Sequence, residues 1–405
     1  MRTIRLPGIA AGAALLFPLL ATADPITSTA ALRQAVEQAW QRSPLARALE
    51  ARQEEAAAAS ALANSWLAAA PTLGLSERSD RWTDQRGQRE TEVSLAAQVL
   101  LPGQHTARQR HAARSSEELA LLRDRARLAV AGEVRQRLWE AAAAREVLAE
   151  KTDHRHHLEE LRDDVARRVK AGDLARSDAL LAEQEVLAAA NEVTLARGRA
   201  AETMTRLAIL TGLSELPELD PEPLADAPAA PHLRLRVTQA SEERAKAAVQ
   251  LASAGTQSSP TVALSMRRER GAYLAESDRS IGVALQIPIV GATRNRPAAA
   301  LAATQLATAS AERQEAESAV AAELSLARLQ LENVRAGLQA AVRRAEAMRE
   351  HTALFEKAFA QGERSLAELL RSRALTHEAE VALRQQRVAI GLAHAQLNQA
   401  LGTLP

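Results

Sequence analysis

One block of this sequence occurs twice, and that duplication constrains the fold more than any other feature. Lys170–Leu213 (KAGDLARSDALLAEQEVLAAANEVTLARGRAAETMTRLAILTGL) is answered without a gap by Ala360–Thr403 (AQGERSLAELLRSRALTHEAEVALRQQRVAIGLAHAQLNQALGT). Gly172 recurs as Gly362, Asp173 as Glu363, Asp178 as Glu368, Leu180 as Leu370 and Leu207 as Leu397, each 190 residues later. Upstream, Pro71–Leu75 matches Pro260–Leu264 and Ser94–Val99 matches Gly282–Ile287, at offsets of 189 and 188. Solenoid repeats have periods of about 20–50 residues. A period near 190 means one large unit used twice, here 24–216 and 232–405, joined by the proline-rich linker 217–231.

Each unit contains the same signals in the same order. The pattern predicts helices over 27–42 and 45–70, with Leu32, Val36 and Trp40 on one face and Pro71 as the stop. Strands follow at 72–79 and 91–99, in a hairpin of about 72–101. Val93, Leu95, Ala97 and Val99 alternate there with small or polar residues. The second copy places strands around Val262–Met266 and Ser280–Ile287, in a hairpin of about 261–290, with 267–279 as a charged loop. Long helical patterns cover 104–170 and 298–361. Their seams keep spacings of three and four, as in Leu158, Leu161 and Val165. At about 1.5 Å per residue each runs for on the order of 100 Å. Gly172 and Gly362 end these helices at positions suited to a left-handed backbone, after which a second helix returns.

Composition supports long, closely packed helices. Apolar residues make up 47% of the 405 but aromatics only 2%, and much of the apolar share is alanine. The formal charge is +1, which does not predict a nucleic-acid partner. There is no cysteine, hence no disulfide, thiolate metal site or cysteine-linked lipid. Residues 1–23 read as a secretory signal: Arg2 and Arg5, the apolar run 9–20, then Ala21-Thr22-Ala23 before Asp24. No later stretch reaches about 18 uninterrupted apolar residues, so no transmembrane helix is expected.

Four strands cannot close a barrel, and an open sheet edge cannot face lipid. Membrane barrels have at least about eight strands. If these strands span a membrane, several chains must share one barrel. The alternative is a soluble periplasmic coiled coil with two surface hairpins.

The residues then resemble the TolC family of trimeric outer-membrane efflux ducts over nearly the whole mature sequence. Gly362-Glu363-Arg364-Ser365-Leu366-Ala367-Glu368-Leu369-Leu370 is similar to that family's second tip motif, Leu401-Gly402-Thr403-Leu404 to its closing motif, and Gly172 through Ser177-Asp178 to its first tip. Residues 168–185 and 287–297 look like the CzcC-like branch serving cobalt–zinc–cadmium efflux. The fold implied is mainly α with a small β part: duplicated long-helix hairpins plus four membrane strands per chain, forming a trimeric α-barrel/β-barrel duct. The implied partners are a periplasmic adaptor (membrane fusion protein), an inner-membrane pump of the resistance–nodulation–division (RND) type, two further copies of the chain and outer-membrane lipid. The implied cargo is heavy-metal cations, with organic compounds as the alternative. A soluble metal-binding coiled coil or an adaptor is the rival class. The resemblance puts Asp178, Arg364, Glu368 and Phe359 at the aperture, Phe359 standing where a tyrosine is usual, and Gly172, Ser177, Gly362 and Ser365 at adaptor-facing tips. Arg371 replaces a further acidic position.

No catalytic or cofactor motif is found: there is no phosphate loop, nucleophile elbow, HExxH or dinucleotide fingerprint. His154, His156 and His157 invite a metal reading. Their spacing does not place all three on one helical face, and Lys151, Arg155 and Arg162 flank them, so no site is expected.

Overall fold

The computed structural model describes residues 28–225, 231–289 and 292–405. The signal-like segment 1–23, together with Pro228 and Gly291, lies outside the described residues. Within them are seven helices and four strands. The first unit holds α1 (Ser28–Arg42), α2 (Pro44–Ala63), β1 (Thr72–Ser79), β2 (Arg89–Gln98), α3 (Pro102–Ala171) and α4 (Arg176–Thr211). The second holds α5 (Leu233–Ala254), β3 (Thr261–Arg270), β4 (Asp278–Gln286), α6 (Ala292–Ala360) and α7 (Leu366–Ala400). The duplication holds to the residue at the tips: α4 begins at Arg176 and α7 at Leu366, and Gly212 and Gly402 both take positive φ beyond the helix ends.

The strands form one antiparallel sheet in the order β1-β2-β3-β4, so among the described residues β1 and β4 each keep an unpaired edge. Helix neighbours run in the same sense. Near the sheet α2 packs on α3, α3 on α5 and α5 on α6; farther away the order is α4, α3, α7, α6. The chain is therefore one long open strip. One margin is α2, β1 and α4, and the other is β4 and α6.

Three boundaries differ from the sequence reading. The helix expected over 45–70 stops at Ala63, because the chain is drawn to the sheet: Leu67 bridges Val99, Trp66 stacks flat on His105 at 4.0 Å, and Gln109 donates to Asn64 Oδ1. The charged stretch 267–270, expected in a loop, continues β3. Its first charge is paired across the ladder, Arg267 with Glu90 at 2.8 Å. Helix α6 starts six residues before the expected 298 and takes Pro297 into its second turn.

The segment 217–225 is irregular, as its prolines require, but it is bound to the helices. Leu216 and Leu219 pack on the cluster around Leu138 and Leu207. Glu222, almost wholly buried, accepts from Arg135 Nε and Nη2 at 2.8 and 2.7 Å. Arg135 also donates to Gln399 Oε1 and Thr403 O, and Asn398 clasps Pro223 and Ala225. These bonds tie the junction of the two units to α3 and α7.

Candidate functional site: sheet faces, strip margins and helix tips

Side chains alternate across a strand, so the register assigns each residue to a face. Leu73 and Leu75, then Val93, Leu95 and Ala97, then Val262, Leu264 and Met266, then Ile281, Val283 and Leu285 all share one face. That face is the exposed one: Leu73 and Val283 are each 76% accessible. The opposite face carries Gly74, Ser94, Ala96, Ala263, Ser265, Gly282 and Ala284. The usual arrangement, large apolar groups inward, is inverted. A contiguous apolar sheet face of this kind marks a surface meant for something other than water. No helix among the described residues is long and apolar enough to cross a membrane. The margins are apolar as well. Leu180, Leu187, Leu195 and Ile209 stand exposed on α4, and Leu301, Leu326, Leu329 and Leu354 on α6.

Among the described residues every helix joins the sheet from one side, and only the turns 80–88 and 271–277 lie on the other. Trp82 and Tyr273 are exposed in those turns, and the backbone of Gly87, at φ +88°, lies against the Tyr273 ring. Trp66 marks the helix end of β1 and Trp82 its turn end.

The tips lie at the far end of the helices. Gly172 (φ 89°) and Gly362 (φ 76°) turn the chain there in the left-handed region that disfavours any Cβ. Leu158, Leu161, Val165, Ala182, Val186, Leu366, Leu369 and Leu370 form a shared core behind both turns. Phe359 is inside that core at 5% exposure, with the Arg168 guanidinium 5.0 Å from its ring centre. The second helix of each tip starts differently. Ser365 caps α7: its Oγ accepts from Glu368 N–H, while Glu368 accepts from Ser365 N–H and Oγ at 3.0 Å and from Arg364 at 2.7 Å. Those bonds, the backbone one first, hold the Glu368 carboxyl below its ordinary range. In the first tip Asp178 takes the place of Glu368 and accepts from Ala175 N–H at 3.2 Å. The position of Ser365 is held there by Ala175; Ser177 is exposed in the first turn of α4. The position of Arg364 is held by Leu174, which packs on the tip core. Within the chain Arg364 pairs with Glu368, and no ion pair joins it to Asp178 among the described residues.

The histidines are not gathered as a trio. His156 and His157 are exposed beside Glu160, whereas His154 turns inward and stacks on His377 at 3.9 Å. Glu150 accepts from Arg384 at 2.8 Å and faces His377 Nδ1 at 3.3 Å. Arg349, Arg373 and Thr376 complete a groove of about 740 Å³ between α3, α6 and α7. No group of His, Cys, Asp and Glu with metal-holding geometry exists among the described residues. Burial, and then the adjacent His377, depresses the His154 pKa to about 4. Burial raises the Glu150 carboxyl, but the His377 hydrogen bond and the Arg384 charge outweigh it and leave it lowered. The unfolded chain therefore binds the His154 proton between pH 6.5 and about 4 while the folded chain does not, so stability falls as the pH drops through that window. Glu150 adds a loss of the same sign at lower pH. The His154 share is ~1 kcal/mol after allowance for its partial solvent contact. His154→Gln is expected to flatten the fall of the thermal midpoint across that window, and an unchanged slope would refute the assignment.

No protein-family model and no curated protein matches the chain by sequence. Solved structures do match it. A membrane protein from Pseudomonas aeruginosa is 19% identical and superposes with a TM-score of 0.74 over 98% of this chain and 96% of the other. CusC, described as forming a transmembrane channel, is 15% identical, with a TM-score of 0.75 over 92% of each chain. The outer-membrane channel CmeC of Campylobacter jejuni is 15% identical, with a TM-score of 0.73 over 98% and 94%. The chain has the fold of these TolC-type outer-membrane channels, as the sequence resemblance implied for its architecture.

Proposed function

We propose that this chain is the outer-membrane exit duct of a tripartite efflux system, assembled from three copies. The observation that carries this is the open strip, whose apolar sheet face points outward and whose two margins are unfinished along its whole length. Laying the β4/α6 margin of one copy on the β1/α2/α4 margin of the next repeats head to tail, and such an interface closes a ring when the rotation per copy allows. Three copies give twelve strands, within the range of membrane barrels. The small and polar sheet face then lines a wet lumen. A soluble periplasmic adaptor or metal-binding coiled coil would leave the apolar sheet face in water.

The helix tips are the proposed contact for a periplasmic adaptor, which would link the duct to an inner-membrane RND pump. Asp178, Arg364 and Glu368 are the proposed aperture residues, with Phe359 holding the tip core behind them and Gly172, Ser177, Gly362 and Ser365 shaping the docking end. Since Arg364 is satisfied by Glu368 in its own chain, a closing contact with Asp178 is proposed to form only on assembly. Heavy-metal cations are the proposed cargo, on the strength of the CzcC-like segments 168–185 and 287–297; residues 290 and 291 of the second lie outside the described residues. Organic compounds are the alternative cargo. Metal-resistance and drug-resistance profiles of a deletion strain separate the two.

The native mass of the detergent-solubilised protein tests the assembly, and three chain masses are expected. In planar bilayers the Asp178→Ala/Arg364→Ala variant is expected to conduct several times more than the parent. An exposed charge contact is worth roughly 0–1 kcal/mol, so three copies suit a gate that yields on docking. Recovery as a soluble monomer would overturn the duct. Equal conductance at every salt concentration would remove only the aperture residues.

A further inference from the structure

The exposed sheet face changes character sharply toward its turn end. Beyond the apolar band, the same face carries Arg89 on β2, Arg268 and Arg270 on β3, and Arg279 on β4, against one carboxylate, Glu77. Glu77 is engaged by Arg89 at 2.7 Å. Among the described residues Arg268 reaches only the Ser277 hydroxyl, at 3.4 Å. Arg270 Nε is buried without a partner, and Arg279 has neither ion pair nor hydrogen bond from its side chain among the described residues. The register sets Arg89 directly opposite Arg270, and Arg268 directly opposite Arg279. Like charges in cross-strand pairs destabilise a sheet. The other face at the same height has the opposite balance: Glu90, Glu92, Glu269 and Asp278 outnumber Arg78 and Arg267, and Arg267 is held by Glu90 and Glu269. One face is thus net negative, while the other holds uncompensated guanidinium groups around a hollow of about 480 Å³, which Glu269 and Arg267 border and which is continuous with Val93 and Met266 of the apolar band.

We infer that this arginine belt binds the phosphate groups of lipid headgroups in the leaflet that the two turns face. A guanidinium presents a planar fork of donors that fits a phosphate in two-pronged fashion, and it is held more strongly there than by neutral acceptors. The belt stands where the apolar band ends, at the height of headgroups. Its repulsive cross-strand pairs are relieved by an anion shared between strands. That geometry asks for acyl chains against the band and phosphates against the arginines, as a lipid with a phosphorylated headgroup supplies. This inference rests on the proposed membrane insertion of the sheet.

The test uses the full chain in phosphatidylcholine vesicles containing diphosphorylated lipid A or its dephosphorylated form, with bound lipid measured after extraction in neutral detergent. Preference for the phosphorylated form is expected to be about tenfold, falling to about twofold or less in Arg268→Gln/Arg270→Gln/Arg279→Gln, with higher salt weakening it. The corresponding triple lysine variant should keep part of the preference, and Arg279→Gln alone should lower it; both guard against a misfolded triple variant. An equal preference in parent and glutamine variant, or none in the parent, overturns the inference alone. So does displacement of the lipid by inorganic phosphate at matching concentration, which would mark a free-anion site. Failure of the parent to insert into any vesicle overturns the inference together with the membrane reading.

Discussion

Glu222→Ala is expected to lower the stability of the chain by about 3–5 kcal/mol, the cost of leaving a buried charge without its partner. Arg135 is 3% exposed and donates from Nε and Nη2 to the two oxygens of Glu222. After the substitution its remaining acceptors are Gln399 Oε1 and the Thr403 carbonyl, both neutral. Asn398 also loses an acceptor, since it donates to Glu222 Oε2 at 3.3 Å. The thermal midpoint should fall well below that of Glu222→Gln, which keeps one acceptor. Replacing both partners with apolar residues of similar volume should recover much of the loss, because a buried pair contributes little beyond its own desolvation. If Glu222→Ala melts like the parent, the 217–225 strap does not hold the two units together in solution.

The second large effect separates the two sheet faces. Leu264→Arg is expected to block membrane insertion, while Ala263→Arg, one residue away, inserts. Leu264 sits mid-band between Leu95 and Val283, so an arginine there would meet lipid at about 2–4 kcal/mol per chain. Ala263 lies between Ala96 and Ala284 on the small-residue face, where an arginine would reach the proposed wet lumen. Flotation of the two variants with vesicles reads the difference directly. Equal insertion of both would mean that the exposed face is not the lipid face.

The parts of this architecture that could be read from sequence are those written locally or written twice. The tip turns were legible because Gly172 and Gly362 sit at matching points of two aligned helices, and both take positive φ. Strand β1 was legible to the residue, since Leu73 and Leu75 alternate between clear breakers. The end of α2 was not. Nothing between Ala63 and Pro71 forbids helix, and the chain leaves it because Leu67 and Trp66 find partners on Val99 and His105, more than thirty residues away. Charged residues hid the last turnward part of β3 for the same reason: Arg267 looks like loop until Glu90 is beside it. The irregularity of 217–225 was written in its prolines, but its anchoring was not, because Arg135 and Asn398 lie in distant helices. The groove behind His154 needed His377 and Glu150, brought together only by the packing of α3 on α7. At the tips, Ser177 was picked out by the likeness of Gly172 through Asp178 to a first tip motif, yet the repeat aligns Ser365 with Ala175.

The dissimilarity of the two strip margins has a genetic consequence. A symmetric interface damaged by mutation simply fails, and the damaged copies drop out. In the proposed ring a copy with a spoiled α6 margin would still offer a sound β1/α2/α4 margin, join a healthy neighbour through it, and leave the ring unclosed. Such an allele would poison its wild-type siblings in the same cell, whereas a null allele would only dilute them. In the proposed three-copy duct, margin lesions would then be dominant and lesions that merely unfold one copy recessive, so the dominant positions along the margins would trace the assembly contacts.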